Sequence, residues 1–376
     1  MAISGLTRTY DQSTGSREDL EDIIAMISPT DTPLFALLNR TPVTNSKHEW
    51  LEDTLRSMTS TLGAAMGGVR TSVSLTVQTG HGAARFPIAA NYPMLLRIGE
   101  EMMLGTARTT NVLTVTRDYN SLGATAAHAS GVTVEIIADA GLEGADARAA
   151  FAQSRTRPYN VTQVFDATIQ ISGTQEVMNK AGIPGNESDY QATQRLKELK
   201  IQIEKSLIMG TRVDGTASTY RSMGGFKHYI TTNLTNRSDA AITEAMIEAD
   251  ARACFDAGGS PNMIVCNSFQ ADRITDIYKD RLRAEVEAVL GGALIERIRM
   301  PVAGMGELAI VVNRWVPQHE YYILDGTKLF LGQFRTLFER PMGNTGDANK
   351  SQVVGEYTTI LKNESAHARS YSLATS

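Results

Sequence analysis

Two cysteines, Cys254 and Cys266, are all that the 376-residue sequence contains. They lack the close paired spacing of zinc sites and redox motifs, so both read as core thiols. Long hydrophobic runs are also missing. The longest apolar stretches, 263–266 and 308–312, fall far short of the ~20 residues that span a bilayer, which excludes a membrane-crossing helix. Residues 1–10 place no apolar segment behind basic residues, so no secretory signal is expected and synthesis is assigned to the cytoplasm. Nor is there a run of Lys and Arg. With 36 basic against 41 acidic residues the net charge is −5, so enclosed nucleic acid would not be gripped strongly. No internal repeat is present, and residues 1–50 hold no long coiled-coil heptad pattern.

Motifs that carry chemistry are equally scarce. His48-Glu49 begins a metalloprotease pattern, but Glu52 stands where the second His is required. Gly63, Gly67 and Gly68 are not followed by the Gly-Lys-Ser/Thr ending of a phosphate loop. There is no Gly-x-Ser-x-Gly elbow, and the six histidines at 48, 81, 128, 228, 319 and 367 lie far apart without ligand spacing. Cys254 falls on a helix and Cys266 ends an apolar strand, which suits packing better than nucleophilic catalysis. Asn160-Val161-Thr162 and Asn363-Glu364-Ser365 match glycosylation sequons, and without an export signal both are chance matches. The residues therefore suggest no catalytic, cofactor-binding or metal-binding site.

What is present is ordinary globular composition, 42% hydrophobic and 20% charged, in a chain long enough for two or three units of roughly 100–200 residues each. Residues 1–15 are polar and read as an arm. A helix is expected from Ser16, with Leu20, Ile23, Ile24 and Ile27 on one face and Pro29 as its stop, then a short second helix capped by Thr32. Residues 41–56 turn extended and the glycines after them loosen the chain. Between 71 and 137 short runs at 72–77, 94–98, 112–117 and 132–137 predict a small β unit, and extended character returns over 159–172. The strongest helix covers 186–209, with Ser188 and Gln191 as a capping box and Ala192, Leu196, Leu199, Ile203 and Leu207 as an apolar stripe. Its charged residues, Glu204 among them, are assigned largely to other faces. Beyond Gly224 and Gly225 a helix over 239–257, a buried strand at 263–266, a helix over 269–278 and strands at 308–312 and 321–324 give a mixed α+β unit. Two tail strands at 353–361 and 369–373 should pair back onto earlier elements.

This order of parts resembles the tailed-bacteriophage major capsid (major head) proteins of the Hong Kong ninety-seven fold. Local sequence strengthens the resemblance: Ile27-Ser28-Pro29-Thr30-Asp31-Thr32-Pro33, His48-Glu49-Trp50, Val161-Thr162-Gln163, Ile171-Ser172-Gly173-Thr174, Glu198-Leu199-Lys200 with Ile203-Glu204, and Arg221-Ser222-Met223-Gly224-Gly225. It covers residues 10–61 and 158 to the end, and departs over 62–157, where an added β unit stands in the extended loop. The resemblance implies an α+β fold class: N-terminal arm and short helices (1–40), extended-loop arms (41–70 and 138–160), inserted β unit (71–137), peripheral domain with spine helix (161–230 and 341–376) and axial domain (231–340). It implies a virion protein, not an enzyme and without cofactor, that builds homo-hexamers and homo-pentamers of an icosahedral head around phage DNA held non-specifically. Its partners would be a separately encoded scaffolding protein, a portal and a decoration protein, with no membrane. Tyr10, Asp11, Glu49, Trp50 and Leu51 are the expected subunit-interface residues. An encapsulin-like compartment shell, another virion structural protein and an enzyme of mixed α+β class are the alternatives.

Overall fold

A computed structural model of the chain describes residues 29–88, 92–119, 125–141, 143–144, 147, 150–152, 154–178, 186–279, 282–283, 295–299, 307–344 and 346–375. The expected arm over 1–15, the helix from Ser16, and Tyr10 and Asp11 lie outside these residues. The chain divides into two compact units, Met1–Trp50 with Pro158–Ser376, and Leu51–Arg157.

The first unit is built on the helix Glu187–Met209, whose residues Leu199, Ile203, Leu207 and Ile208 are buried while Leu196 is partly so. Its apolar stripe covers one face of a four-stranded sheet ordered Asn39–Pro42, Leu329–Pro341, Ala348–Leu361, Gln163–Ser172. The period-two alternation of a half-covered strand turns Phe165, Ile169 and Ile171 toward the helix and leaves Val164, Asp166 and Gln170 outward. The helix start differs from expectation. Asn186 is the N-cap without a side-chain cap bond, and Gln191 donates to the Glu187 carboxylate at 2.8 Å instead of closing a box with Ser188.

A seven-stranded sheet is ordered Leu234–Ala240, Ala368–Leu373, Tyr321–Leu324, Met263–Cys266, Glu307–Val312, Ile295–Arg299, Leu282–Arg283. Helices Glu244–Asp256 and Ser268–Tyr278 bury Ile247, Ala251, Cys254, Ile274 and Tyr278 with Ile264, Cys266, Ile310 and Ile323. The opposite side chains of the same strands, Met263, Val265, Val311, Tyr322 and Leu324, join the cluster around the long helix. Coverage on both faces explains why 263–266 and 321–324 read as unbroken apolar runs. The helix over 239–257 begins only at Glu244, because residues 234–240 pair in parallel with the C-terminal strand. That strand belongs to the seven-stranded sheet and 329–341 to the four-stranded one, so the chain crosses between sheets more often than the 340/341 boundary implies.

The second unit is an antiparallel sheet ordered Thr59–Thr61, Thr133–Asp139, Met94–Ile98, Glu101–Thr109, Val112–Thr116, Ser74–Thr76. Leu62 and Met66 share its core with Leu96, Met103 and Val134. The β unit is therefore wider than 71–137, since residues just before it supply an edge strand and two core side chains. The strand Glu101–Thr109 was not foreseen. Inside this unit the Arg117 guanidinium reaches Glu101 at 2.6 and 2.7 Å and the Ala126 carbonyl at 2.6 Å, and His128 Nε2 lies 2.8 Å from Glu101. Burial alone would raise the Glu101 carboxyl, but Arg117 and His128 hold it below its ordinary value.

Close backbone contact fixes the end of the long helix. Gly225 donates its N–H to the Gly210 carbonyl at 2.8 Å, and a Cβ there would sit 2.5 Å from the Ser206 carbonyl oxygen and 2.6 Å from that of Leu207. Only glycine leaves room for that approach. Gly225→Val should therefore lower stability by about 2–4 kcal/mol, through displacement of backbone rather than a flexible side chain, and a melting temperature within a degree of the parent would contradict it.

Candidate functional site

Among the described residues, the groups weighed for chemistry in the sequence are buried or unsupported. Cys254 and Cys266 are free and inaccessible, and burial pushes both thiols up to about 12, far from the thiolate a nucleophile needs. Burial likewise pushes His367 down to about 4, and its Nδ1 accepts the Asp325 N–H at 3.2 Å. Ser60 Oγ lies 3.0 Å from His81 Nδ1, yet among the described residues no carboxylate bonds that ring, so the orienting acid of a triad is missing. No group of three His, Cys, Asp or Glu side chains among the described residues is placed to hold a metal.

The notable polar groups are instead carboxylates that join distant segments. Glu204, on the long helix, accepts the N–H of Leu34 at 2.8 Å, that of Phe35 at 2.7 Å and the Asn313 amide at 2.6 Å. It is wholly buried, contrary to its expected place on a charged face. Thr32 makes no side-chain cap on the helix Pro33–Leu37, and Glu204 replaces it from 169 and 170 residues away. The sequence signal was its flanks, with Ile203 before it and Leu207 and Ile208 one turn on. Glu356 accepts the Thr162 hydroxyl at 2.6 Å and Arg335 Nε at 3.1 Å, and also holds Arg221. Glu320 takes Arg369 at 2.8 and 3.1 Å and the Tyr322 hydroxyl at 2.7 Å. Asp250 accepts from Tyr321, Ser370 and Arg237, each at 2.6 Å. Glu364 receives the N–H of Thr231 at 2.6 Å and of Thr232 at 2.5 Å, tying two sheet crossovers together.

The expected interface residues separate. Glu49, on the short strand Lys47–Glu49, is exposed and paired with Lys47 at 2.7 Å. Trp50 is 7% exposed: it packs with Val43 and Ile360, its ring lies 6.2 Å from that of Tyr229, and its N–H donates to the Pro158 carbonyl at 3.1 Å. Trp50 thus has a core within its own chain, formed by Val43, Ile360, Tyr229 and Phe330. Leu51 is the opposite, 65% exposed, and the extended segment after it adds Leu55 at 96% and Met58 at 53%. Sequence reasoning named only the first of these three. Val177, Met178, Phe338 and Met342 are further exposed apolar side chains, on the first unit.

A subunit with acid-bridged internal junctions and exposed apolar side chains is suited to association. A model of the SU10 major capsid protein family matches residues 5–374. The chain belongs to that family. It is a major capsid protein of the Hong Kong ninety-seven fold and a structural component of the virion. Among solved structures it is similar to a protein of Mycobacterium phage Bobi (9% identity, 98% of each chain, TM-score 0.51) and to the capsid of a native GTA particle (9% identity, 97% of this chain and 98% of that one, TM-score 0.51). The SrpI encapsulin of Synechococcus elongatus PCC 7942 is similar at 10% identity over 99% of this chain and 97% of that one, with a TM-score of 0.50. At such identities these likenesses speak to fold alone, and the family match decides for a phage capsid over an encapsulin. No curated protein sequence matches the chain.

Two measurements test this capsid subunit's interior. Cys254 and Cys266 should resist alkylation in the native protein at pH 8 and label only on unfolding; rapid native labelling of either would show an accessible thiol. Trp50→Ala should lower subunit stability by about 3–5 kcal/mol as an intrachain core truncation, and an unchanged unfolding midpoint would place the ring outside the core.

Proposed function

We propose that the subunit assembles into homo-hexamers and homo-pentamers that close into the icosahedral head around phage genomic DNA. The observation that carries this reading is the exposed apolar segment Leu51, Leu55 and Met58 in a chain of a capsid family. An extended segment cannot bury such side chains against itself, and burying each on a neighbour contributes about 1.5–3 kcal/mol, multiplied over every copy in a shell. Glu49 beside it, with Tyr10 and Asp11 of the N-terminal arm, completes the proposed contact. In this reading the four-stranded sheet and long helix form the peripheral domain, and the seven-stranded sheet forms the axial domain around five-fold and six-fold positions. The unit Leu51–Arg157 strengthens contacts or receives a decoration protein. A separately encoded scaffold guides assembly in the host cytoplasm, a portal occupies one vertex, and the acidic balance of the chain supports loose, non-specific contact with DNA.

Electron microscopy of the purified protein, alone and with its scaffold, should show closed shells or capsomers. The double variant Leu55→Asp with Met58→Asp should keep its circular dichroism spectrum yet yield dispersed subunits or at least tenfold fewer shells. Normal shells from that variant would remove the segment from the assembly surface, and a wild-type monomer persisting with scaffold present would overturn the shell reading itself.

A further inference from the structure

Among the described residues, every sheet edge but one is short, broken or closed. One side of the four-stranded sheet ends at Asn39–Pro42, four residues that finish in a proline. In the seven-stranded sheet, the edge strand Leu234–Ala240 loses register after Asn236, where Ser238 and Asp239 turn left-handed, and Leu282–Arg283 has two residues. The pair Lys47–Glu49 and Tyr159–Val161 has three residues a strand. The outer strands of the six-stranded sheet join each other: Gly63 donates its N–H to the Thr76 carbonyl at 2.7 Å and Gln78 to that of Thr61 at 2.9 Å. The exception is Gln163–Ser172, ten residues paired with Ala348–Leu361 in unbroken register and free of glycine, proline and lysine. A long regular edge of this kind is a template for strand pairing.

Its hydrogen-bond phase fixes which groups face the open side. Gly173 donates its N–H to the Asp347 carbonyl at 3.2 Å, one step beyond the last register pair, Ser172 with Ala348. Odd-numbered residues of the strand therefore turn their amides and carbonyls toward Ala348–Leu361. Thr162, of the opposite phase, donates away from that strand to the Ser46 carbonyl at 2.8 Å. Val164, Asp166, Thr168 and Gln170 thus aim backbone N–H and C=O outward, and their side chains are exposed. Among the described residues no hydrogen bond reaches those backbone groups. Ser172 shares their phase, but as an N-cap its carbonyl serves the helix Gly173–Val177.

We propose that this edge pairs with the same strand of a second copy, antiparallel across a two-fold axis. Such an isologous contact requires a strand complementary to itself. With Ala167 on the axis, Val164 meets Gln170 of the second copy and Asp166 meets Thr168, so all four open residues donate and accept together. Asp166 takes the Gln352 amide at 3.0 Å on one oxygen and has the other for the Thr168 hydroxyl. Moving the axis to Asp166 would oppose two carboxylates, and moving it to Thr168 would set Val164 against the engaged Ser172 carbonyl. Ala167 has the smallest side chain of the strand, and it falls at a non-hydrogen-bonded position, where paired Cα atoms approach to about 4.5 Å. This pairing rests on the association of copies proposed above and adds a surface separate from Leu51, Leu55 and Met58.

Disulfide formation in the full-length chain tests both the pairing and its register. A bridge needs Cα atoms roughly 4.4–6.8 Å apart, which Ala167→Cys meets across the axis, whereas Gln170→Cys faces Val164 instead of its counterpart. Cys254 and Cys266 are buried and do not compete. Under mild oxidation, shells or capsomers of Ala167→Cys should give at least tenfold more covalent dimer on a non-reducing gel than those of Gln170→Cys. Thr168→Pro, which removes an outward N–H and spares the ladder to Ala348–Leu361, should keep its circular dichroism spectrum and lower shell yield at least tenfold. Should Ala167→Cys not fold, a mixture of Asp166→Cys and Thr168→Cys chains, which face each other, supplies the same readout. Shells that form normally from Thr168→Pro, or that carry no link at these cysteines, would overturn the pairing and leave the shell reading intact. Equal linking by Gln170→Cys would overturn the register, and a wild-type chain that stays monomeric with scaffold present would overturn both readings.

Discussion

Glu204 stands one turn from the end of a 23-residue helix, where three segments far apart in sequence meet on two oxygen atoms. The position is forced by neighbouring geometry. Pro33 opens a five-residue helix that cannot hold itself together, since so short a helix makes few internal bonds for the entropy it fixes. Its first-turn amides need an acceptor, and Thr32 supplies none. Asn313, just past the strand Glu307–Val312, turns its amide to the same carboxylate while its own oxygen accepts the Trp315 N–H at 2.9 Å. The apolar cluster around the long helix therefore closes over one acid whose bonds determine where the N-terminal segment and the strand end come to rest.

The same device recurs with a different balance of charge. Glu320, Asp250 and Glu356 are buried, but each binds an arginine as well as neutral donors. Burial would raise the Glu320 carboxyl, yet Arg369 and Tyr322 keep it below its ordinary value, whereas Glu204, with no cation among its described partners, moves the other way. The arginine-paired acids clamp the C-terminal strand and the strands around Thr162 to distant segments of the chain. A buried pair of this kind is destabilising mainly when one member is removed, which makes these positions strict about alignment.

Local patterns in the sequence were enough to locate the elements whose burial is uniform. Residues 263–266 and 321–324 are apolar throughout because both faces are covered, and Met94–Ile98 is bounded by turn residues. The apolar stripe of the long helix followed from its 3.6-residue period. The strand Leu329–Pro341 escaped notice because two register shifts break its alternation, and Glu101–Thr109 because Glu, Gly and Arg dilute its apolar positions. The surroundings of Glu204 and Trp50 were hidden for a shared reason: apart from Val43 beside Trp50, the partners named above are more than 100 residues away, and a helical wheel or a local window cannot see them. Of the proposed contact surface, Leu51 was legible, while Leu55 and Met58 required knowing that they stand exposed among the described residues.

The N–H of Trp50 bonds to the Pro158 carbonyl at 3.1 Å, and two residues further Glu52 and Thr156 exchange both of their backbone hydrogen bonds, at 3.0 and 2.9 Å. The 107 residues between Trp50 and Pro158 thus leave and re-enter the chain at neighbouring points. Such a gateway asks little of its cargo beyond two ends that meet. The hairpin base works as a socket, and the β unit is the plug it carries.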